Sequence, residues 1–173
     1  MKKSLLLIIL IFSLSCFKVF SQETDYKSYT LFIYNFMKYI EWPSNNTQGD
    51  FIIGVVGESA IVTELEKLSQ TKKIKNRNIV IKKFQNLNEL TTCHLVYIPP
   101  NKSSMLKEII TIVQGKPVLL IAEREGLAKK GAAFSFVIEE DDILKFEVNK
   151  TIIEKQQLKI PSVLLSLGSV VST

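Results

Sequence analysis

The residue types that most often perform catalysis are few in this sequence, and they are poorly spaced for it. His94 is the only histidine, and it directly follows Cys93. Neighbouring side chains on a strand point to opposite faces, so these two residues cannot form a nucleophile–base pair with each other. A zinc site needs three or four Cys, His or acidic ligands, and the sequence pattern shows no such cluster. We therefore predict no catalytic residue, no metal ligand and no cofactor.

A second place where chemistry could occur is the turn that ends the apolar run FIIGVVG. Gly57 lies in this turn, followed by Glu58 and Ser59. Amides at the start of the next helix are able to hold a small anion, although the glycine spacing lacks a dinucleotide fingerprint and Glu58 disfavours phosphate. Ligands of parallel sheets bind at the carboxyl ends of strands. We predict a candidate ligand crevice at Gly57, Glu58, Ser59 and Glu123; an ordinary strand-to-helix turn is the alternative.

Acidic residues at positions 139–142 form the densest carboxylate cluster. Paired carboxylates act as acid and base in clefts whose apolar walls separate their pKa values. Here the cluster lies between two runs of alternating apolar and polar residues, which is typical of a hairpin tip. We interpret it as a solvated surface turn.

The elements that position these residues follow an alternation of apolar strands and short helices. Strands are predicted for the runs FIIGVVG, NIVIKKF, HLVYIP and PVLLIAE. Helices are predicted for residues 26–41, for the stretch containing Ile61, Leu65 and Leu68, and for residues 103–113, 150–157 and 162–171. Such alternation indicates βαβ units, and AAFSFVIEE and ILKFEVN indicate a hairpin. We predict an α/β, Rossmann-like three-layer sandwich with a mostly parallel sheet and an antiparallel C-terminal hairpin.

The N-terminal residues have the pattern of a secretory signal. Two lysines precede an apolar stretch that runs to Phe20, and Ser21 offers a small-residue cleavage site. We predict a signal peptide at residues 1–21 and one mature domain at 22–173, periplasmic or secreted. A retained membrane anchor and lipid attachment at Cys16 are the alternatives.

Removal of this segment changes the net charge of the chain and the number of its cysteines. The segment holds three of the 22 basic residues and none of the 17 acidic residues, so the net charge falls from +5 to +2. There is no basic stripe interleaved with stacking aromatics, so nucleic acid is not a predicted partner. Cys93 is then the only cysteine, which we interpret as a small buried side chain; a reactive or intermolecular thiol is the alternative.

The order of these pieces resembles the YfiR/HmsC-like family of bacterial periplasmic proteins. The resemblance rests on LFIYNFMKYIEWP, FIIGVVG, CHLVYI, PVLLIAE, GAAFSFVIEEDDILKFEVN and the tail QLKIPSVLLSLGSVV. Two positions depart from the family pattern, which commonly has serine at Pro161 and alanine at Gly168. Both departures concern the predicted tail helix.

The resemblance implies a regulatory and non-enzymatic role. Its members are similar to repressors of membrane-bound diguanylate cyclases, which bind the receptor's periplasmic part and restrain cyclic-di-GMP synthesis and biofilm formation. Other relatives are associated with histidine kinases. The implied partner is thus a membrane signalling protein, with formation of a homodimer and binding of a small ligand left open. The alternative function is a periplasmic small-ligand-binding module.

With that role in view, the end of the first helix is the candidate partner-binding surface. Tyr34, Tyr39 and Trp42 lie partly off the apolar face of this helix, beside Pro43. Exposed Tyr and Trp side chains next to a rigid residue have the composition of a binding hot spot. The alternative is that Trp42 packs on the sheet edge and anchors the helix end.

Overall fold

A computed structural model of the chain describes residues 24–173. The strands in this part are β1 (Phe51–Val56), β2 (Lys73–Ile74), β3 (Arg77–Phe84), β4 (Leu95–Ile98), β5 (Leu119–Ala122), β6 (Phe134–Ile138), β7 (Leu144–Val148) and β8 (Ser169–Val170). The helices are α1 (Tyr26–Tyr39), α2 (Ile61–Thr71), α3 (Leu106–Val113), α4 (Lys150–Lys155) and α5 (Ser162–Leu167). The predicted signal peptide and Cys16 lie outside the described residues.

The strands form one mixed sheet in the order β2-β3-β1-β4-β5-β6-β7-β8. β3, β1, β4, β5 and β6 run parallel to one another. β7 is antiparallel to β6, with Phe136 opposite Phe146. The predicted α/β class, mostly parallel sheet and antiparallel hairpin are therefore confirmed.

Helices cover both faces of this sheet and bury two apolar clusters. On one face, α1 inserts Ile33 and Phe36 among residues of β1, β6 and β7, and the Phe36 ring stacks on Phe134 with ring centroids 4.0 Å apart. On the other face, α3 contributes Ile109 and Val113 to the second cluster. The central strands β4 and β5 are buried along their whole length, which explains their nearly continuous apolar sequences.

The first helix ends earlier than its sequence predicts. Asp25 caps its start, accepting a hydrogen bond from the Lys27 amide at 3.2 Å. The helix stops at Tyr39 instead of continuing to Glu41. The reason is a remote pairing: Glu41 and Lys159 exchange backbone hydrogen bonds of 3.0 and 3.1 Å in an isolated antiparallel bridge. This pairing requires an extended backbone at Glu41, so the helix ends upstream of Trp42, the residue whose conformation Pro43 restricts.

The tail also differs from its prediction. The helix predicted for residues 162–171 ends at Leu167, and Ser169 and Val170 instead form β8 beside β7. Gly168 lies under the ring of Phe146, where an added Cβ would come within 2.2 Å of a ring carbon. This contact gives a physical reason for glycine at a position where the resembling family commonly has alanine.

Two smaller predictions were also wrong. The short strand β2 was not predicted. It joins β3 through Lys75 and Asn76, which have the positive φ that two-residue hairpin turns require. The helix predicted from residue 103 begins as a 3-10 helix, Pro100–Met105, before α3.

Candidate functional site

The sheet topology defines where a crevice should lie. The chain leaves β1 to form β3 on one side and returns to form β4 on the other. The carboxyl ends of β1 and β4 therefore flank the topological switch point, the usual ligand position in open α/β sheets. Gly57 directly follows β1, and Glu123 directly follows β5, so both residues lie at this end of the sheet.

Glu123 is the centre of a polar cluster at this end. Its side chain is 8% exposed, and one carboxylate oxygen accepts a hydrogen bond from the buried Tyr97 hydroxyl. The other oxygen accepts a hydrogen bond of 3.2 Å from the Tyr26 hydroxyl on the first turn of α1. Tyr26 and Tyr97 thus engage both oxygens of Glu123, one member of the predicted crevice.

Burial dominates the electrostatics of this cluster. It raises the pKa of Glu123, while the hydrogen bonds from Tyr97 and Tyr26 act in the opposite direction. Burial, followed by repulsion from Glu123, raises the pKa of Tyr29 to about 12 and that of Tyr97 well above its ordinary value. The tyrosines therefore remain protonated donors at neutral pH.

The crevice itself is filled by the protein's own groups. The Tyr26 side chain occupies the position at Glu123 that a ligand donor would need, and the Gly57 amide donates to the Phe84 carbonyl at 2.9 Å. The Ser59 hydroxyl accepts from the Ile61 amide at 3.5 Å. These contacts satisfy the polar groups that were candidates for binding an anion.

Glu58 does not contribute to the crevice. It is exposed, and its carboxylate forms an ion pair with Lys83 at 2.9 Å. Gly57 is covered by the Lys102 side chain, whose Cε lies where a Cβ would otherwise extend. The φ of Gly57 is +70°, a left-handed conformation that favours glycine at this turn.

The four residues of the candidate partner surface separate into outward and inward positions. Tyr39 is 43% exposed, and the Lys38 ammonium lies 5.3 Å from its ring centre. Leu31, eight residues earlier on α1, is 55% exposed although the sequence reasoning did not select it. Tyr34 and Pro43 are half-buried, and Tyr34 packs against the first apolar cluster. Only Leu31 and Tyr39 offer largely free apolar surface on this helix.

Trp42 faces inward. It is half-buried and meets the Phe51 ring edge-on, with ring centroids 5.0 Å apart. Its indole N–H donates to the Pro117 carbonyl at 3.1 Å. These contacts favour the alternative in which Trp42 anchors the end of the first helix.

An arginine that the sequence reasoning did not select organises the loop beyond Trp42. The Arg77 guanidinium donates to the carbonyls of Asn46, Gln48, Gly49 and Asp50 at 2.7–3.2 Å. Its charge also lies over the face of Phe51, 5.4 Å from the ring centre. Arg77 ends a basic stretch with Lys72, Lys73 and Lys75, a composition typical of a solvated connection, so its sequence context does not predict this role.

Cys93 and His94 are structural residues that face opposite sides of the sheet. His94 stacks on Phe51 and accepts a hydrogen bond from the Ile52 amide at 3.1 Å. Burial and the neighbouring Arg77 lower the pKa of His94 to about 4. Cys93 is buried in the second cluster, and burial raises the pKa of its thiol to about 11. A thiol with this pKa remains protonated and unreactive at neutral pH.

The remaining depressions do not coincide with the predicted crevice. A cavity of about 210 Å³ lies between the start of α1 and the hairpin, lined in part by Asp25, Tyr29 and Leu144. An open groove of about 1000 Å³ separates α1 from α2. Within residues 24–173, no group of three or more His, Cys, Asp or Glu residues is placed to hold a metal ion, and every helix is too short or too polar to span a bilayer.

Sequence comparison identifies one matching family. The profile described as YfiR/HmsC-like matches residues 26–169, and this is a family of periplasmic regulatory proteins. No curated protein matches the chain by sequence.

Solved structures share the fold at low sequence identity. An ABC domain in complex with L-Trp from Streptococcus pneumoniae matches with a TM-score of 0.54 and 15% identity, over 79% of this chain and 58% of that chain. A conserved domain protein from Vibrio cholerae O1 biovar El Tor matches with a TM-score of 0.54 and 13% identity, over 87% of this chain and 60% of that chain. The chain therefore spans less than two thirds of either protein.

Proposed function

Because the chain belongs to the YfiR/HmsC-like family, we propose that it is an exported, non-enzymatic regulator that binds the periplasmic part of a membrane signalling protein. The proposed partner is a diguanylate cyclase, whose cyclic-di-GMP synthesis, and with it biofilm formation, the protein restrains. A histidine kinase is the alternative partner. Export depends on the predicted signal peptide at residues 1–21, which leaves 22–173 as the mature domain.

The observation that carries this proposal is the family match along residues 26–169. The geometry of the polar groups agrees with it. The Glu123 carboxylate accepts hydrogen bonds from Tyr26 and Tyr97. Cys93 and His94 form structural contacts, and the pKa values of their side chains disfavour nucleophilic and acid–base catalysis at neutral pH. These internal contacts favour a role that depends on the protein's surface.

The proposed contact surface is the outer side of α1, defined by Leu31 and Tyr39, with Tyr34 and Pro43 at its margin. Leu31 and Tyr39 are 55% and 43% exposed. Tyrosine is enriched at binding hot spots because its ring buries a large area while its hydroxyl retains a polar contact. Trp42 supports this surface from below through its contact with Phe51.

A complementation experiment tests the proposal. In a strain of the source organism that lacks the protein, cyclic-di-GMP is expected to rise and to return to its normal level when the wild type is restored. A Tyr39→Glu variant should not restore it, whereas Ile138→Glu, at a 55% exposed apolar position on the hairpin, should. A change in kinase output without a change in cyclic-di-GMP would identify the alternative partner class. A strain in which neither output changes would contradict the proposal.

A second candidate, the small-ligand-binding module, is supported by one observation. The fold is shared with a protein solved in complex with L-Trp. Glu123 lies at the carboxyl end of β5, the strand next to β4, on the edge of the sheet where such folds bind ligands. In this chain the Tyr26 hydroxyl already donates to the Glu123 carboxylate. A ligand that binds Glu123 must therefore displace Tyr26, in the first turn of α1. Calorimetric titration with L-Trp as the probe is expected to give tighter binding to Tyr26→Ala than to wild type, and loss of binding in Glu123→Gln. An absence of binding in all three proteins would refute this candidate.

A further inference from the structure

A third pocket lies at the amino ends of the parallel strands. Its volume is about 410 Å³, which is within the range of small-molecule sites. Three segments form its wall: the end of α3, the turn before β6 and the end of α4. Gly115 precedes β5 and Gly131 precedes β6, whereas Glu123 follows β5. The pocket is therefore separate from the predicted crevice, which lies at the carboxyl ends.

A buried polar group without a partner lines this pocket. Gln156 is 6% exposed, and its side-chain oxygen is fully buried. Among residues 24–173, no hydrogen-bond donor reaches this oxygen, and no other buried side-chain oxygen or nitrogen is left unpaired. Buried polar atoms nearly always have a partner, because leaving one unpaired costs free energy. A ligand that brings an N–H or O–H group to this oxygen gains a hydrogen bond that the described chain does not provide.

The rest of the pocket wall combines apolar surface with one positive charge. Ile110 and Ile152 contribute half-buried apolar side chains. Lys155 is exposed, and it takes part in none of the ion pairs formed within the described part of the chain. An ammonium group at the rim of an apolar pocket attracts an anion. No acidic side chain of residues 24–173 lines the pocket, so a cationic ligand group has no counter-charge there.

Backbone geometry fixes the pocket before a ligand binds. Gly131 has a φ of +110°, and a Cβ there would come within 2.7 Å of the Ile110 side chain. The Gln157 side-chain amide donates to the Gly115 carbonyl at 2.9 Å, which joins the end of α4 to the turn after α3. A wall that is already ordered spares a ligand the cost of ordering it.

We propose that this pocket binds a small organic acid that has an apolar body and carries a hydroxyl or amide donor. The acid group would lie beside Lys155, the body against Ile110 and Ile152, and the donor would meet the buried oxygen of Gln156. Free amino acids fit less well, because their ammonium group would lie near Lys155 without a carboxylate partner. This inference does not rest on the proposed function.

Titration with 4-hydroxyphenylacetate, followed by nitrogen–proton correlation NMR, tests the proposal. The protein is expressed as the full chain, with export and processing left to the host. The dissociation constant should be about 1 mM or tighter for a ligand of this size. The largest shifts are expected at the amides of Gly115, Gly131 and Gln156. Phenylacetate, which lacks the hydroxyl, should bind about tenfold more weakly.

Three variants separate recognition from folding. Gln156→Met removes the acceptor at similar side-chain length. It should keep or raise the thermal midpoint, because an unpaired buried group is lost, and it should bind the two probes equally. Lys155→Gln should weaken the binding of both probes by about two- to fivefold. Lys107→Gln is the matched control, since Lys107 is an exposed lysine of α3 outside the pocket wall, and it should change neither dissociation constant.

The proposal predicts saturable binding at these amides, with the preference for the hydroxyl lost in Gln156→Met and retained in the lysine variants. An absence of saturable binding, or shifts confined to the carboxyl ends of the strands near Glu123, would overturn it. So would equal binding of both probes by the wild type, because water rather than a ligand would then satisfy the Gln156 oxygen.

Discussion

Replacing Glu123 with alanine is expected to destabilise the fold, whereas replacing it with glutamine is not. Alanine leaves the Tyr97 hydroxyl, which is fully buried, without its acceptor. An unsatisfied buried polar group costs about 1–3 kcal/mol. The half-buried Tyr26 can turn to water, so it adds little to this loss. Glutamine retains an acceptor oxygen and removes a charge that burial disfavours, so its effect should stay within about 1 kcal/mol.

The pH dependence of this difference has a definite sign. Burial raises the pKa of Glu123 above its ordinary value of 4.5, so the folded state holds the proton more tightly than the unfolded state. The free energy of unfolding of the wild type should therefore increase relative to Glu123→Gln as the pH is lowered from 7 towards 4.5. The glutamine variant lacks this titrating group and provides the reference.

Urea denaturation of the wild type, Glu123→Gln and Glu123→Ala at several pH values measures both effects. The expected order at pH 7 is glutamine equal to or above wild type, with alanine clearly below. A glutamine variant as unstable as the alanine variant would show that the carboxylate charge itself stabilises the fold. The account of a closed crevice held by hydrogen bonds from neutral tyrosines would then be refuted.

Three further predictions concern the residues around His94 and Cys93. The pKa of His94 is lowered from 6.5 to about 4, so the stability that neutral His94 contributes above pH 6.5 should be lost as the pH falls to 4. In urea titrations, the difference in the free energy of unfolding between wild type and His94→Gln should change by about 1–3 kcal/mol over this range. Gly54→Ala places a Cβ 2.8 Å from the Cys93 sulfur; it should cost about 1–3 kcal/mol in thermal denaturation, and less in a Cys93→Ala background. Arg77→Lys removes the guanidinium fork that binds the carbonyls of residues 46–50, so amide exchange should accelerate in that loop and remain unchanged in α3.

Much of the fold could be predicted because burial imposes a simple pattern. Strands β4 and β5 are covered on both faces, so nearly every residue in them is apolar. In the hairpin, the regularly spaced apolar residues Phe134, Phe136, Phe146 and Val148 are all buried. Local sequence is sufficient in such cases because the requirement acts on each residue separately.

The ends of helices and strands were less predictable because contacts with residues distant in sequence determine them. The first helix ends at Tyr39 because Glu41 pairs with Lys159, more than a hundred residues away. The tail becomes a strand after Gly168 because this residue lies against Phe146 and β7 has an open edge. No local pattern contains these partners.

The candidate crevice could be predicted in part. The position of Glu123 follows from its place directly after a buried strand, since such strands end at one edge of the sheet. That Tyr26 and Tyr97 donate hydrogen bonds to Glu123 could not be predicted, because the partner of a hydroxyl depends on tertiary packing. The inward position of Trp42 likewise depends on Phe51 and Pro117, which belong to other elements.

Site-specific photo-crosslinking in living cells tests the central claim most directly. A photoreactive residue at position 31 or 39 should capture an inner-membrane protein that has a periplasmic domain and a cytoplasmic cyclase or kinase domain. The same residue at position 138, where the side chain is equally exposed, should not. Capture from 138 but not from 31 or 39 would contradict the assigned surface. Capture of no signalling protein from any position would contradict the proposed function itself.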